Sequence, residues 1–243
     1  GLFLNGANTT GKKEGTSKIT LLGDNSIGIF VDNAANLNSY AGETKLTGKG
    51  VYGIVLDNGG KLVSSGGKLE VGTSVSPAGE TTQGSMAIGV MRNNAEMSGK
   101  LDVTAQLTVK NSIWIYSKGK VIVNKADITT ANGAVNFYAD GGTIKVGSGG
   151  GTSTTETGIG NAGSQGSLLF YTKNNGKIEI ANTMNAKRKG DSNAALRGTA
   201  FLYNGPTLSG TNTVSNWLNN TFINNGLSKL SLKGNSKSIV NSQ

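Results

Sequence analysis

Cysteine and histidine are both absent from the 243 residues. Without cysteine there is neither a disulfide nor a thiolate metal site. Without histidine the Ser-His-Asp and Cys-His nucleophile systems fall away, together with the commonest metal ligand. Proline occurs twice, and aromatic residues make up 6% of the chain. No apolar run approaches the ~20 residues of a helical membrane span, and no signal peptide reads at the start. The string Gly158-Ile159-Gly160-Asn161-Ala162-Gly163 fits G-x-G-x-x-G. With glycine so frequent and no strand-to-helix unit around it, a loop is the expectation. The run Gly147-Ser148-Gly149-Gly150-Gly151-Thr152-Ser153 lacks the lysine of a phosphate loop, and no cofactor or metal is expected.

What the chain does have is glycine, 38 residues of it, and an excess of lysine and arginine over acids that gives a net charge of +9. It also has a degenerate phrase that recurs along its length: an apolar patch, an Asn- and Gly-rich turn, then one apolar anchor. It reads Val31-Asp32-Asn33-Ala34-Ala35-Asn36-Leu37, then Leu56-Asp57-Asn58-Gly59-Gly60-Lys61-Leu62, then Met91-Arg92-Asn93-Asn94-Ala95-Glu96-Met97. The anchors fall at Leu37, Leu62, Met97, Val121, Ile144, Ile178, Leu208 and, in a worn last copy, Leu230. Their short spacings gather at about 22–25 residues, the size of one turn of a solenoid, and the long ones read as one unit plus an inserted loop.

The pattern within each unit decides which solenoid to expect. No segment carries a 3.6-residue apolar period over ten or more residues, so helical repeats are excluded. Short alternating runs occur instead, such as Lys68-Leu69-Glu70-Val71, Lys100-Leu101-Asp102-Val103 and Lys177-Ile178-Glu179-Ile180. Each puts apolar side chains on one face of a strand and polar ones on the other. About 23 residues hold three such strands and three turns. The expectation is an all-β, right-handed single-stranded parallel β-helix. It would have about eight coils of 22–25 residues with inserted loops, spanning residues 1–243 as one solenoid segment. Neither end reads as a cap, so this stretch is expected to be a fragment of a longer solenoid.

Equal positions in successive coils would stack about 4.8 Å apart. Val31, Leu56, Met91 and Tyr138, with Tyr116, Tyr171 and Tyr203 within one residue of that register, are expected to form one buried stack. Asn33, Asn58, Asn93, Asp140, Asn174 and Asn204 recur four residues before the anchors. They form either an amide ladder or simply a series of turns in the left-handed conformation that Asn tolerates. Asp32 and Asp57 occupy matching positions, each before an Asn, the ordinary place of Asp in a turn.

The richness in Gly, Asn, Thr and Ser, the lack of Cys, and coils written G-[IV]-x-[hydrophobic]-x-x-N-G-x-[LIV] resemble the passenger domain of a monomeric (type V) autotransporter. The phrases Ser26-Ile27-Gly28-Ile29-Phe30 and Gly50-Val51-Tyr52-Gly53-Ile54 are similar to those of the RadD-like surface adhesins of fusobacteria. The resemblance implies export through an outer-membrane barrel that this chain does not contain, display at the bacterial cell surface, and attachment to other cells. It implies cell adhesion, while the lack of histidine and of clustered carboxylates sets the expectation of no enzymatic activity.

Recognition is expected in the insertions, read at Gly72–Ser85, Gly147–Gln165, Ala181–Arg197 and Ser209–Thr221, because loops on a rigid scaffold usually carry binding. The basic tripeptide Lys187-Arg188-Lys189 and the aromatic Trp217 are the candidate binding residues; catalytic, metal and cofactor residues are expected to be none. The partner would be another bacterial or host cell-surface protein or an acidic glycan, met by a monomer that does not itself span a membrane. Specific nucleic-acid recognition is not expected, since aromatics are not interleaved with the basic residues. Two other readings stay open: a polysaccharide-active β-helix lyase or hydrolase using paired carboxylates such as Asp32 and Asp57, and a spacer projecting a distal binding head.

Overall fold

A computed structural model of the chain describes residues 1–72, 85–107, 113–130, 135–147, 153–157, 168–180, 184–188, 199–204, 222–223, 230–233 and 239–241. Among these the secondary structure is strand throughout, with no helix. The strands are β1 (Leu2–Asn5), β2 (Thr10–Lys13), β3 (Lys18–Leu21), β4 (Ile27–Asp32), β5 (Asn36–Tyr40), β6 (Glu43–Leu46), β7 (Tyr52–Leu56) and β8 (Lys61–Val71). They continue with β9 (Met86–Val90), β10 (Glu96–Leu107), β11 (Ile113–Ser117), β12 (Lys120–Val123), β13 (Lys125–Thr130), β14 (Val135–Asp140), β15 (Thr143–Val146) and β16 (Ser153–Thr157). The last are β17 (Leu168–Lys173), β18 (Lys177–Ile180), β19 (Met184–Arg188), β20 (Thr199–Asn204), β21 (Phe222–Ile223), β22 (Leu230–Lys233) and β23 (Ile239–Asn241).

They form two large sheets. One has nine strands in the order β1-β4-β7-β9-β11-β14-β17-β20-β23, and the other has fourteen. The larger sheet is two rows side by side, β2-β5-β8-β10-β12-β15-β18-β21 and β3-β6-β8-β10-β13-β16-β19-β22, with the long strands β8 and β10 belonging to both. Pairing is parallel in both sheets, and each strand pairs with its equivalent one repeat away rather than with its neighbour in sequence. Parallel neighbours require such crossovers. The arrangement is all-β and consistent with a parallel β-helix.

The anchors predicted from sequence do stand in one row. Leu37 pairs with Leu62, Leu62 with Met97, Met97 with Val121, Val121 with Ile144, and Ile144 with Ile178. All six are fully buried. The next member is Phe222, which pairs with Ile178. Leu208 lies outside the described residues, and Leu230 pairs with Met184 in the other row. The worn last copy therefore belongs to the other row.

The second expected stack needs a larger correction. The inward row runs Val31, Leu56, Val90, Ser117, Ala139 and Thr172, and in backbone register it continues to Tyr203. Met91 lies one residue past it. Tyr116, Tyr138 and Tyr171 pair with one another one residue earlier, and period-two alternation turns that position outward. All three are half-buried, while Ile115, Ser117, Phe137 and Ala139 beside them are buried.

Two expected insertions contain strands. Ser153–Thr157 falls within the segment read as Gly147–Gln165, and Met184–Arg188 within Ala181–Arg197; both belong to the second row of the larger sheet. Their polar composition hid them, since the outer face of such a strand is water-facing and period-two alternation is weak in STTET and MNAKR. Most of Gly72–Ser85 and all of Ser209–Thr221 lie outside the described residues.

Where β8 passes from one row to the next, Gly66 has φ +132° and the register shifts opposite Lys100 and Leu101. That is a β-bulge, with one extra residue in β8 re-aiming the strand. The adjacent Gly67 lies under Tyr40, whose ring is fully buried; a Cβ on Gly67 would run into the ring carbons. The Tyr40 hydroxyl lies 2.8 Å from Thr44 Oγ1 and 3.0 Å from the Lys68 carbonyl, so it is satisfied. Above it the buried Lys13 gives its ammonium to the carbonyls of Ser17 at 2.8 Å and Ala41 at 2.9 Å. Burial holds the Lys13 pKa below its ordinary value.

Candidate functional site

On the outer face of the nine-stranded sheet one register position carries Phe3, Phe30, Val55, Gly89, Tyr116, Tyr138 and Tyr171 in successive strands. The rings form two ladders. Phe3 and Phe30 stack with centroids 5.2 Å apart. Tyr116 meets Tyr138 edge-on at 5.0 Å, and Tyr138 stacks on Tyr171 at 4.5 Å. Gly89 interrupts the run, its position covered by the thioethers of Met86 and Met91. Tyrosine suits such a row: the ring packs on its neighbours and the hydroxyl stays available to polar partners.

The tyrosine ladder is tied to the turns beside it. Tyr116 donates its hydroxyl to Asp140 Oδ2 at 2.8 Å, and Asn174 donates its amide to Asp140 Oδ1 at 2.6 Å. Burial, reinforced by the Asp140 carboxylate, pushes the Tyr138 phenol up to about 12. Burial and the hydrogen bond to Asp140 raise Tyr116 well above the ordinary phenol range. Tyr116 and Tyr138 therefore stay neutral across the physiological range, and neither is poised to act as a base.

The recurrent Asn residues do both jobs that were open from sequence. Asn33, Asn58 and Asn174 have φ of 53°, 41° and 52°, in the left-handed region. Asn58 also donates its amide to Asn33 Oδ1 at 3.4 Å, and Asn174 bonds Asp140 in the same way. Asp32 and Asp57 accept the N–H of Asn33 at 2.7 Å and of Asn58 at 2.8 Å. Asp57 further holds Arg92 Nε at 3.1 Å.

Turn lengths along this ridge differ. Residues 91–95 join β9 to β10 and 174–176 join β17 to β18, but only Lys118 and Gly119 join β11 to β12, and only Gly141 and Gly142 join β14 to β15. A Cβ on Gly119 would run into the carbonyl oxygens of Ala95 and Arg92, so the short turn tucks beneath the longer one. The result is an open notch of about 750 Å³ lined by Asp57, Met91, Arg92, Asn93, Lys118, Asp140 and Gly141.

Most outward lysines on the larger sheet face an acid one strand away. Lys120 lies 2.9 Å from Glu96, Lys45 lies 3.0 Å from Glu70, and Lys18 lies 3.6 Å from Glu43. Lys118 is exposed, and its ammonium has no partner among the described residues. Its side chain lines the notch.

The candidate residues named from sequence fare differently. Lys187 and Arg188 close strand β19 rather than lying in a loop, with Lys187 in register between Glu156 and Lys233. Lys189 and Trp217 lie outside the described residues. The tyrosine ladder and the notch were missed. The available signals were the alternation Ile115-Tyr116-Ser117 and Phe137-Tyr138-Ala139, and the drift of the tyrosines relative to their anchors, which records the short turns.

No family model matches the chain, and neither a curated protein nor a solved structure matches it. Among the described residues no helix is long and apolar enough to cross a membrane, and no three His, Cys, Asp or Glu side chains are grouped to hold a metal ion.

Proposed function

We propose that this chain is a segment of a surface-displayed bacterial adhesin of the autotransporter-passenger type, attaching cells through the side of its solenoid without catalysis. In this reading the strands form one right-handed β-helix, β1 to β22 making eight coils and β23 opening a ninth. The supporting observation is the outward ladder Tyr116-Tyr138-Tyr171 beside the notch. It is a half-buried aromatic and polar surface on the outward face of the sheet, and tyrosine is enriched where proteins meet partners. The carboxylates weighed for sugar cleavage support the same reading. Asp57 accepts the Asn58 N–H and pairs with Arg92, and Asp32 accepts the Asn33 N–H, so both serve the turns in which they stand.

The test is attachment. Beads carrying the purified chain are expected to retain partner cells above beads carrying an unrelated protein. Changing Tyr116, Tyr138 and Tyr171 together to Ser should reduce that retention. Beads with the native chain that hold no more cells than the control would overturn the reading and leave a spacer. Release of reducing ends from polygalacturonate or a glycosaminoglycan, lost when Asp32 and Asp57 become Ala, would favour the enzyme instead.

A further inference from the structure

We infer that the notch at Lys118 is a binding subsite for an anionic oligosaccharide, an assignment that rests on the adhesin reading and names what one part of its surface takes. The argument begins with the unused cationic groups. Lys118 projects from the shortest kind of turn with no partner among the described residues. Arg92 holds Asp57 through Nε, leaving its two terminal nitrogens directed elsewhere, and its side chain is 67% exposed. Uronate carboxylates and sulfate esters both accept hydrogen bonds from such cations in the same way.

The rest of the lining suits the hydroxyls of a sugar. Asn93 offers an exposed amide with both donors and an acceptor. Asp140 is fixed in place by Tyr116 and Asn174, one on each oxygen, and each oxygen retains a further lone pair. Asp57 and Asp140 balance the two cations, so the notch distinguishes partners by local pairing while the chain's net charge of +9 supplies long-range attraction.

Dimensions agree. Arg92, Lys118 and Asp140 lie in or beside three successive turns, and turns repeat at about 4.8 Å. That interval is close to the length of one sugar residue in an extended chain, so a glycan laid along the stack meets a new polar group at each residue. A volume of about 750 Å³ lies within the range of small-ligand sites.

An acidic peptide fits less well. Strands β9, β11 and β14 each have a partner on both sides, so no free edge is offered for strand addition. Among the described residues Met91 is the only large apolar side chain in the lining, which leaves a peptide without an anchor pocket.

The experiment measures binding of the whole chain to fluorescent hexasaccharides prepared from heparin, carrying sulfate, and from polygalacturonate, carrying carboxylate alone. Poly-glutamate of similar length is the peptide arm. Two variants are compared with the native chain. Lys118→Gln removes the free cation at an exposed site. Gly141→Asn fills the notch at a backbone φ of +76°, in the region that Asn33, Asn58 and Asn174 already occupy, and a Cβ there makes only ordinary contact with Asn174. At least one hexasaccharide is expected to bind, about tenfold more weakly to Lys118→Gln, the loss of one charge-assisted hydrogen bond. Binding should vanish in Gly141→Asn, with the thermal unfolding of Lys118→Gln unchanged. The inference is overturned if neither hexasaccharide binds, if Lys118→Gln binds like the native chain, or if poly-glutamate binds as tightly. Should the hexasaccharides fail while the beads still capture cells, the notch assignment falls and the adhesin reading stands. If cells are not captured either, both fall.

Discussion

The ring of Tyr138 stacks on that of Tyr171, one strand away in the same sheet, with centroids 4.5 Å apart and planes inclined by 28°. Their backbones are directly paired, so the contact reports both the parallel register and which face of the strand looks outward. Stacked aromatic pairs contribute about 0.5–1.5 kcal/mol beyond their buried area. A double-mutant cycle with Tyr138→Ser and Tyr171→Ser should therefore give a coupling of about 1 kcal/mol in denaturant unfolding. Strict additivity of the two single changes would mean that the rings do not meet.

Val121 sits between Met97 and Ile144 in the anchor row and is fully buried. Val121→Asp strands a charge in a core with no partner to receive it, at a cost of several kcal/mol. Lys120→Asp, one residue away on the exposed face, trades one surface ion pair for a repulsion with Glu96 and should cost under about 1 kcal/mol. Chemical denaturation of the two variants side by side checks the face assignment, and equal midpoints would contradict it.

Gly67 has no room for a side chain because Tyr40 occupies the space. Gly67→Ala is expected to destabilise the protein by about 1–3 kcal/mol through overpacking. In a Tyr40→Ala background the same change should be nearly free, since the clash has gone. A penalty that persists in that background would place its origin in the backbone rather than in the ring.

Alkaline stability follows from the buried phenols. Burial raises Tyr40 and Tyr138 from 10 to about 12. A proton held more tightly in the folded state stabilises it fully below pH 10, and that contribution is lost as pH rises from about 10 through 12. For the fully buried Tyr40 the two-unit rise corresponds to an effect on the order of 2–3 kcal/mol. Unfolding followed against pH should fall steeply across that window, and Tyr40→Phe should flatten the fall. Titration of the Tyr40 phenol near pH 10, isolated by difference from Tyr40→Phe with the fold intact, would contradict the burial.

The anchor row from Leu37 to Ile178 is legible because it follows one rule, an apolar residue shortly after each turn rich in Asn or Gly. The tyrosines were assigned to the wrong face because a one-residue change of register inverts a strand. Tyr116 stands five residues before Val121 and Tyr171 seven before Ile178, and these offsets express turn length rather than a shift within the core. In β11 and β14 the second and third residues, Trp114 with Ile115 and Asn136 with Phe137, are both buried, which breaks simple alternation at the corner. Of the notch only the short turns leave a trace in the sequence, through the drift of the tyrosines. The notch exists only because short and long turns become neighbours once repeats far apart in sequence stack.

The claim on which everything else depends is that strands pair in parallel register with the tyrosines facing outward. The chain has no cysteine, so an introduced pair is the only pair of thiols present. Direct register partners in a parallel sheet lie about 4.8 Å apart, within the 4.4–6.8 Å span of Cα separations that a disulfide accepts. Mild oxidation of a Tyr138→Cys, Tyr171→Cys variant should give a complete intramolecular disulfide. The control pair Tyr138→Cys, Thr172→Cys, shifted by one residue and pointing to opposite faces, should remain reduced. Free thiols in the first pair and a bridge in the second would contradict the architecture.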